Sequence, residues 1–568
     1  MAPVPLDPTN ATLSEAIALL DNDWRPLVSS VFRAERTLWF GSAISRDRFD
    51  DLSKLLNRLL AELHARMTPG DPNCPFRKAL GDVVSYSGIS VDLDAAPTTW
   101  PRLHEIVPIL CTRYDEVLGI PLSGMQPDAI IWDVLRLPQM YGDQTVLPDA
   151  EHRFIALLVR EGVLGEFVSA NWDCLIEDAH ESCGPGGLRL GVVARPEEMA
   201  TTQPRLVKIH GCARRAGRDP SNYRASLVAT KVHIARWIAN SHEAFPDFVR
   251  NLIRQRTVLF VGLSAQDDNL QMEFLRTAGP TAPSTAYDRF VFAKPRLEPA
   301  QTQLLQLAYG DDAFSTHRAQ IEQGSVLPLY AKPLLGTLYV LCLVYKAKLL
   351  IDKAQELSVS QRQLATDGLV SMTAAACAHV DRLSSPDRWR SLATEGSWVV
   401  ARFVALYRDQ KIPSDSAYYV ALHNRDLREL EADPNLPDGD DRMILLLAAL
   451  FIGQERGYWT LAVCSGPGSE GHLALASGPV SLRVFVAREM KALAKLDREG
   501  FVDPDDDPEV VLLYTRGTQA RPRRATHPGR SLPGRALRRP REIALEQFLG
   551  DLGPTDDVPL ALQNALGV

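Results

Sequence analysis

Five short apolar runs, each closed at once by small or polar residues, constrain this chain more than any other feature. They are Thr37-Leu38-Trp39-Phe40, Glu166-Phe167-Val168-Ser169, Leu206-Val207-Lys208-Ile209, Thr257-Val258-Leu259-Phe260-Val261 and Phe290-Val291-Phe292-Ala293. Runs of this length, rich in β-branched and aromatic side chains and separated by helical patterns, read as strands of a parallel sheet buried on both faces. Helical spacing over residues 13–31 leads into the first run, and an amphipathic stretch over 49–63 follows it. In that stretch Leu52, Leu55, Leu56, Leu59 and Leu60 recur at steps of three and four, one buried helix face. The expected fold is α/β: a Rossmann-like parallel sheet with helices on both faces. Such sheets bind ligands beyond the carboxyl ends of their strands, so the residues just after each run are the candidates for chemistry.

A chain of 568 residues exceeds what one core organises. We expect a first domain over residues 1–330, with a helical insertion at about 66–147 where proline and glycine are frequent and strand alternation is lacking. A helical domain is expected over 331–455, with helices at 363–380 and 398–407 and a turn at Ser384-Ser385-Pro386-Asp387. A small α+β region is expected over 456–568, where glycine-rich turns flank strand candidates at 461–463, 482–486 and 510–514. The apolar run 334–351 is interrupted by Lys346 and Lys348 and falls short of the ~20 residues a bilayer needs, so it reads as a buried helix and no membrane span is expected.

The eight cysteines are scattered without a C-x-x-C pair, and residues 1–10 are polar and proline-rich; reduced thiols, a cytoplasmic protein and no metal are expected. A net charge of −8 opposes a broad nucleic-acid surface. The basic tract is the segment from Arg516 to Arg541, read as a solvated linker or a dock for an acidic partner, with nucleic acid as the lesser alternative.

Four segments follow the strand-like runs. Gly41-Ser42-Ala43-Ile44-Ser45 and Gly262-Leu263-Ser264-Ala265-Gln266-Asp267-Asp268 put small residues between a strand and a helix. There the backbone can approach a phosphate or ribose and the helix N-terminus supplies free N–H groups; equally, such turns are ordinary helix starts. Ser169-Ala170-Asn171-Trp172-Asp173 can hold a ribose and order a water, or can cap a helix. His210-Gly211 sets a group able to take a proton near neutral pH at a strand end, where histidines are also often structural.

Together and in this order, the four segments resemble the sirtuin family, in particular its divergent prokaryotic anti-phage defence branch. Gly41 to Ser45 is similar to the family's Gly-Ala-Gly-x-Ser loop, with Ala43 in place of the second glycine. Ser169 to Asp173 resembles its Thr-x-Asn-x-Asp motif, Lys208 to Gly211 the segment with the catalytic histidine, and Gly262 to Ser264 the late Gly-x-Ser loop. The resemblance implies NAD+ as substrate, held by Gly41, Ser42, Ala43, Ser45, Ser169, Gly262, Ser264 and Asp268. It implies Asn171, His210 and Asp173 as the catalytic set. Deacylating sirtuins carry a four-cysteine zinc module whose spacing is missing from this sequence, so the resemblance favours hydrolysis of NAD+ to ADP-ribose and nicotinamide. It further implies a homo-oligomer silent until a partner arrives, with a HerA-like hexameric ATPase expected ahead of a short Argonaute because a helical segment follows the first domain. The alternatives are an NAD+ or ADP-ribose sensor with little turnover, and a transferase acting on protein.

Overall fold

The computed structural model describes the chain except residues 1–9, 185–187, 240–243, 266–267, 278–287, 356, 397–418, 435–440, 465–471, 490–495, 504–506, 517–539 and 554–555. The chain divides into two compact units, the first made chiefly of Ala18–Glu181 and Leu188–Leu335, the second chiefly of Gly336–Val568.

The first unit is built on seven parallel strands: β1 (Arg36–Phe40), β2 (Glu166–Ser169), β3 (Gly191–Val193), β4 (Arg205–Lys208), β5 (Thr257–Val261), β6 (Phe290–Ala293) and β7 (Val326–Leu327). Their order is β3-β4-β2-β1-β5-β6-β7, with helices on both faces, as the Rossmann-like reading expects. Every residue of β1, β2 and β6 is buried, the polar Arg36, Thr37, Glu166 and Ser169 included, which is why these strands lack the alternation of a half-exposed strand. Aromatic packing ties neighbouring strands together: Phe260 stacks on Phe292 at 4.6 Å between ring centres, and Trp39 meets Phe260 edge-on at 5.7 Å.

The register decides where chemistry can gather. Phe40 pairs with Ser169 and with Val261, and Ser169 pairs with Lys208, so β1, β2, β4 and β5 end level. From β1 the chain passes to β2 on one side and later to β5 on the other, so the crevice beyond β1 is the topological switch point. Between β1 and β2 the chain makes the expected helical excursion, including Pro75–Ser85, Leu103–Cys111 and Leu137–Tyr141. Leu80, Val83, Ile106, Leu110 and Ile131 of this excursion pack on Leu55, Leu59 and Leu63 of the helix Leu52–Arg66, which Asp51 caps through the Lys54 N–H.

The structure departs from the sequence reading in several places. The helix expected over 13–31 is two helices, Leu13–Asn22 and Arg25–Phe32; Pro26, lacking an N–H, sits in the first turn of the second. β3 and β7 were not anticipated, because three and two residues are too short to show a pattern. The turn at Ser384-Ser385-Pro386-Asp387 is the start of a helix, Ser385–Ser391, with Ser384 at its N-cap and Pro386 in its first turn. The helix expected at 398–407 lies outside the described residues.

In the second unit the helices Val359–Val380 and Asp441–Glu455 pack together beside the long apolar helix Ala331–Lys353. That last helix has the length and composition of a membrane span, yet 72% of its most apolar window is buried. A five-stranded mixed sheet follows: β8 (Thr460–Cys464), β9 (His472–Ser477), β10 (Val480–Glu489), β11 (Val510–Arg516) and β12 (Arg541–Ala544), in the order β12-β11-β10-β9-β8. β8, β9 and β10 form an antiparallel meander, while β11 and β12 add in parallel. The basic tract between Arg516 and Arg541 lies almost wholly outside the described residues.

Candidate active site

Beyond the level ends of β1, β2, β4 and β5, the four loops converge. Gly41 leaves β1 with its N–H on the Val261 carbonyl (3.0 Å), and the Ala43 N–H reaches the Gly262 carbonyl (3.2 Å). A Cβ on Gly41 would lie 2.5 Å from the Gly262 oxygen, and Gly262 itself has φ +70°, so both positions require glycine. The β1 loop folds as a short 3₁₀ turn, Ser42–Ser45, leaving Ser42 exposed and Ser45 buried. Ala43, where the family loop has its second glycine, is half-buried against Gly262.

The β2 loop enters the same space. Ser169 Oγ accepts the Asn171 N–H (3.1 Å), so this hydroxyl shapes the loop. Asn171 Nδ2 donates to the Gly41 carbonyl (3.2 Å) and lies 3.4 Å from Ser45 Oγ. Because a carbonyl only accepts, the amide orientation is set, and Oδ1 is buried with no partner among the described residues. An unsatisfied buried acceptor costs ~1–3 kcal/mol, a cost that a ligand donor or water would remove. Asp173 takes the Ser45 hydroxyl on Oδ2 (2.9 Å) and the Leu175 N–H on Oδ1 (3.1 Å), so both its oxygens hold the framework.

His210, 6% exposed, leaves β4 with Nδ1 on the Ala170 carbonyl (3.0 Å). The carbonyl fixes the proton on Nδ1 and makes Nε2 the basic nitrogen. Gly211 follows with φ +81°; a Cβ there would lie 2.3 Å from the Ser226 oxygen. On the far side Ser264 is exposed at the end of β5, and Asp268 opens the helix Asp268–Thr277 with its side chain outside the described residues.

Beneath the loops lies a second polar group. Lys208, fully buried, donates to the Asp173 carbonyl and to Glu177 Oε1 (3.0 Å), and stands 4.0 Å from Cys174 Sγ. Cys174 and Cys212 are 3.3 Å apart. Burial opposes the Lys208 charge, but Cys174, Glu177 and Cys212 outweigh it and hold the ammonium above its ordinary range. The hydrogen bond from Cys174 brings the Cys212 thiol down to about 5 and the same bond pushes Cys174 up. Cys174, Glu177 and Cys212 offer ligand atoms within 4.8 Å of one another. The ammonium already supplies the cation among them, so the group does not fit a second one.

One residue of the site escaped the sequence reading. His152, completely buried on the helix Ala150–Arg160, places Nε2 3.1 Å from Ser45 Oγ. In the sequence it shows only as the fourth residue of Asp149-Ala150-Glu151-His152, a helix-capping pattern, and nothing there points to Ser45. Around it, Asp149 pairs with Arg48 (3.2 Å) and with Lys332 (3.3 Å), and Glu151 lies 3.7 Å from Lys332.

Residues 165–310 match the model of the SIR2-like domain. SIR2-like domains bind NAD+, and the matched stretch carries three of the four loops, those of Asn171, His210 and Gly262. The Gly41 loop lies before it and is joined to it by the contacts from Asn171 and Gly262. No curated protein matches the chain.

Proposed function

We propose that this protein is an NAD+ glycohydrolase, splitting NAD+ and water into ADP-ribose and nicotinamide. The observation that carries the reading is the buried, unpartnered Asn171 Oδ1 at the switch point, in the same cluster of strand-end loops as His210. An acceptor fixed there suits a ribose hydroxyl or an attacking water. The close approach of Gly41 and Gly262 brings the β1 and β5 loops together beside Asn171, where backbone N–H groups could meet the dinucleotide.

The reaction breaks the bond between the ribose carbon and the nicotinamide nitrogen, whose electron pair leaves with nicotinamide. The positively charged sugar left behind is captured by water, and the proton released goes to His210 Nε2. Asp173, with both oxygens engaged, orients Ser45 and the loop; its charge acts on the developing cation through space. Such a reaction drains a cell of NAD+, which supports the finer reading of a toxic defence effector held silent as an oligomer until a partner such as a HerA-like ATPase releases it.

Replacing His210 with alanine should lower NAD+ consumption by ~10²–10⁴-fold, and Asn171→Ala should do the same, with unchanged thermal unfolding. A folded Asn171→Ala protein with full turnover would refute the assignment. Tight NAD+ binding without turnover, with and without the ATPase, would point to a sensor.

A further inference from the structure

We propose that His152 is the positioning residue of this site: its Nε2–H fixes the Ser45 hydroxyl, which in turn orients Asp173 and the Asn171 amide. The inference deepens, and rests on, the hydrolase reading above.

Proton accounting carries it. The Asp149 N–H donates to His152 Nδ1 (3.2 Å), so Nδ1 is an acceptor and the ring proton sits on Nε2. Nε2–H therefore donates to Ser45 Oγ at 3.1 Å. The Asn171 amide approaches the same oxygen at 3.4 Å. A hydroxyl has two acceptor lone pairs and one proton. With both lone pairs addressed, the Ser45 proton points to Asp173 Oδ2 at 2.9 Å. Each group in the chain from Asp149 to Asp173 thus has one possible donor or acceptor role, and Asn171 Oδ1 is the valence left over. Burial, which brings the His152 imidazole down to about 4, keeps it neutral so that this arrangement persists at neutral pH.

A capping role alone does not account for the contact. The cap uses only Nδ1, whereas Nε2 meets a serine 107 positions away in the sequence, on the loop that follows β1. The imidazole therefore links the helix before β2 to the loop after β1.

The test uses the full chain, with the ATPase where it is needed for turnover. With ¹⁵N-labelled histidine, His152 should show a protonated Nε2 and an unprotonated Nδ1, and Ser45→Ala should shift the Nε2 resonance. His152→Leu should lower kcat by ~10²-fold, the scale of a small misplacement of reacting groups, while KM moves by less than about threefold. His152→Gln, whose amide can accept from Asp149 and donate to Ser45, should restore turnover to within about tenfold of the unsubstituted chain. Adding Ser45→Ala to His152→Leu should cost nothing further, because both act through one hydroxyl. A ring protonated on Nδ1, additive losses, or unaltered turnover in His152→Leu would each overturn the proposal. If His152→Leu fails to fold, the glutamine variant and the nitrogen shifts decide. No turnover in the unsubstituted chain would count against the hydrolase reading alone, and the nitrogen shifts would then settle His152 by themselves.

Discussion

The two sheets of this protein solve the same packing problem differently. In the seven-stranded sheet every residue of β1, β2 and β6 is buried, and Val258, Leu259, Phe260 and Val261 of β5 are each 1% exposed or less. In β9 of the second unit burial alternates, with Leu473 and Leu475 inward while Ala476 is exposed. A strand covered on both faces is mostly apolar, and the polar side chains it buries are held by partners, as Glu166 is by Arg205 and Lys208 by Glu177; polar groups left to meet a ligand gather at its ends. Asn171, His210 and Ser45 lie there. In β9 the more exposed positions instead alternate along the strand.

Core truncation tests this contrast most strongly. Leu259→Ala and Phe260→Ala, on opposite faces of β5, should each destabilise the first unit by ~3–5 kcal/mol in chemical denaturation. In β9 Leu475→Ala should cost ~2–5 kcal/mol, but its neighbour Ala476→Ser should stay within about 0.5 kcal/mol. Equal costs for the two β9 changes would erase the distinction.

The cation under the strand ends sharpens the comparison next. Lys208→Met keeps the volume but leaves Glu177 and the Cys174–Cys212 pair without the ammonium they face. It should cost ~3–5 kcal/mol, the scale for an orphaned buried charge, and Glu177→Gln added to it should recover part of the loss. An unchanged denaturation midpoint would show that the ammonium is dispensable there.

The smallest effect concerns pH. Burial lowers His152 and His180 to about 4, so the unfolded chain binds more protons than the folded one between about 6.5 and 4. Their contribution is full above about 6.5 and shrinks as pH falls toward 4. Glu151 has the opposite sign: burial raises it to about 8, so its contribution is present below its ordinary value and is lost as pH rises through 8. His152→Gln should flatten the rise in stability between about pH 4 and 6.5, and Glu151→Gln the opposing fall between about pH 4.5 and 8. A His152→Gln curve as steep as that of the unsubstituted chain between pH 6.5 and 4 would contradict the assignment of that rise.

The same contrast explains what could be read from sequence. The strands β1, β2, β4, β5 and β6 announce themselves because both faces are buried, and the loops after them carry recognisable residues. β3 and β7 are too short to show a period. In the second unit β9 and β12 went unanticipated: alternation with alanine in β9 is weak, and Arg541-Glu542 in β12 reads as surface. Asn171, Asp173 and His210 were legible as strand-end residues. His152 was not, because its partner lies 107 positions away and its local pattern is that of a helix cap. The Lys208 cluster was hidden for the same reason: Cys174 and Cys212 are 38 positions apart and only the pairing of β2 with β4 brings them together.

The most direct test of the central claim is chromatography of the products formed from NAD+ by the purified full chain, alone and with a HerA-like ATPase of the kind proposed above. Equimolar ADP-ribose and nicotinamide, abolished by His210→Ala in a protein that still folds, is the predicted result. Intact NAD+ under every condition, or products unaffected by His210→Ala, would contradict it.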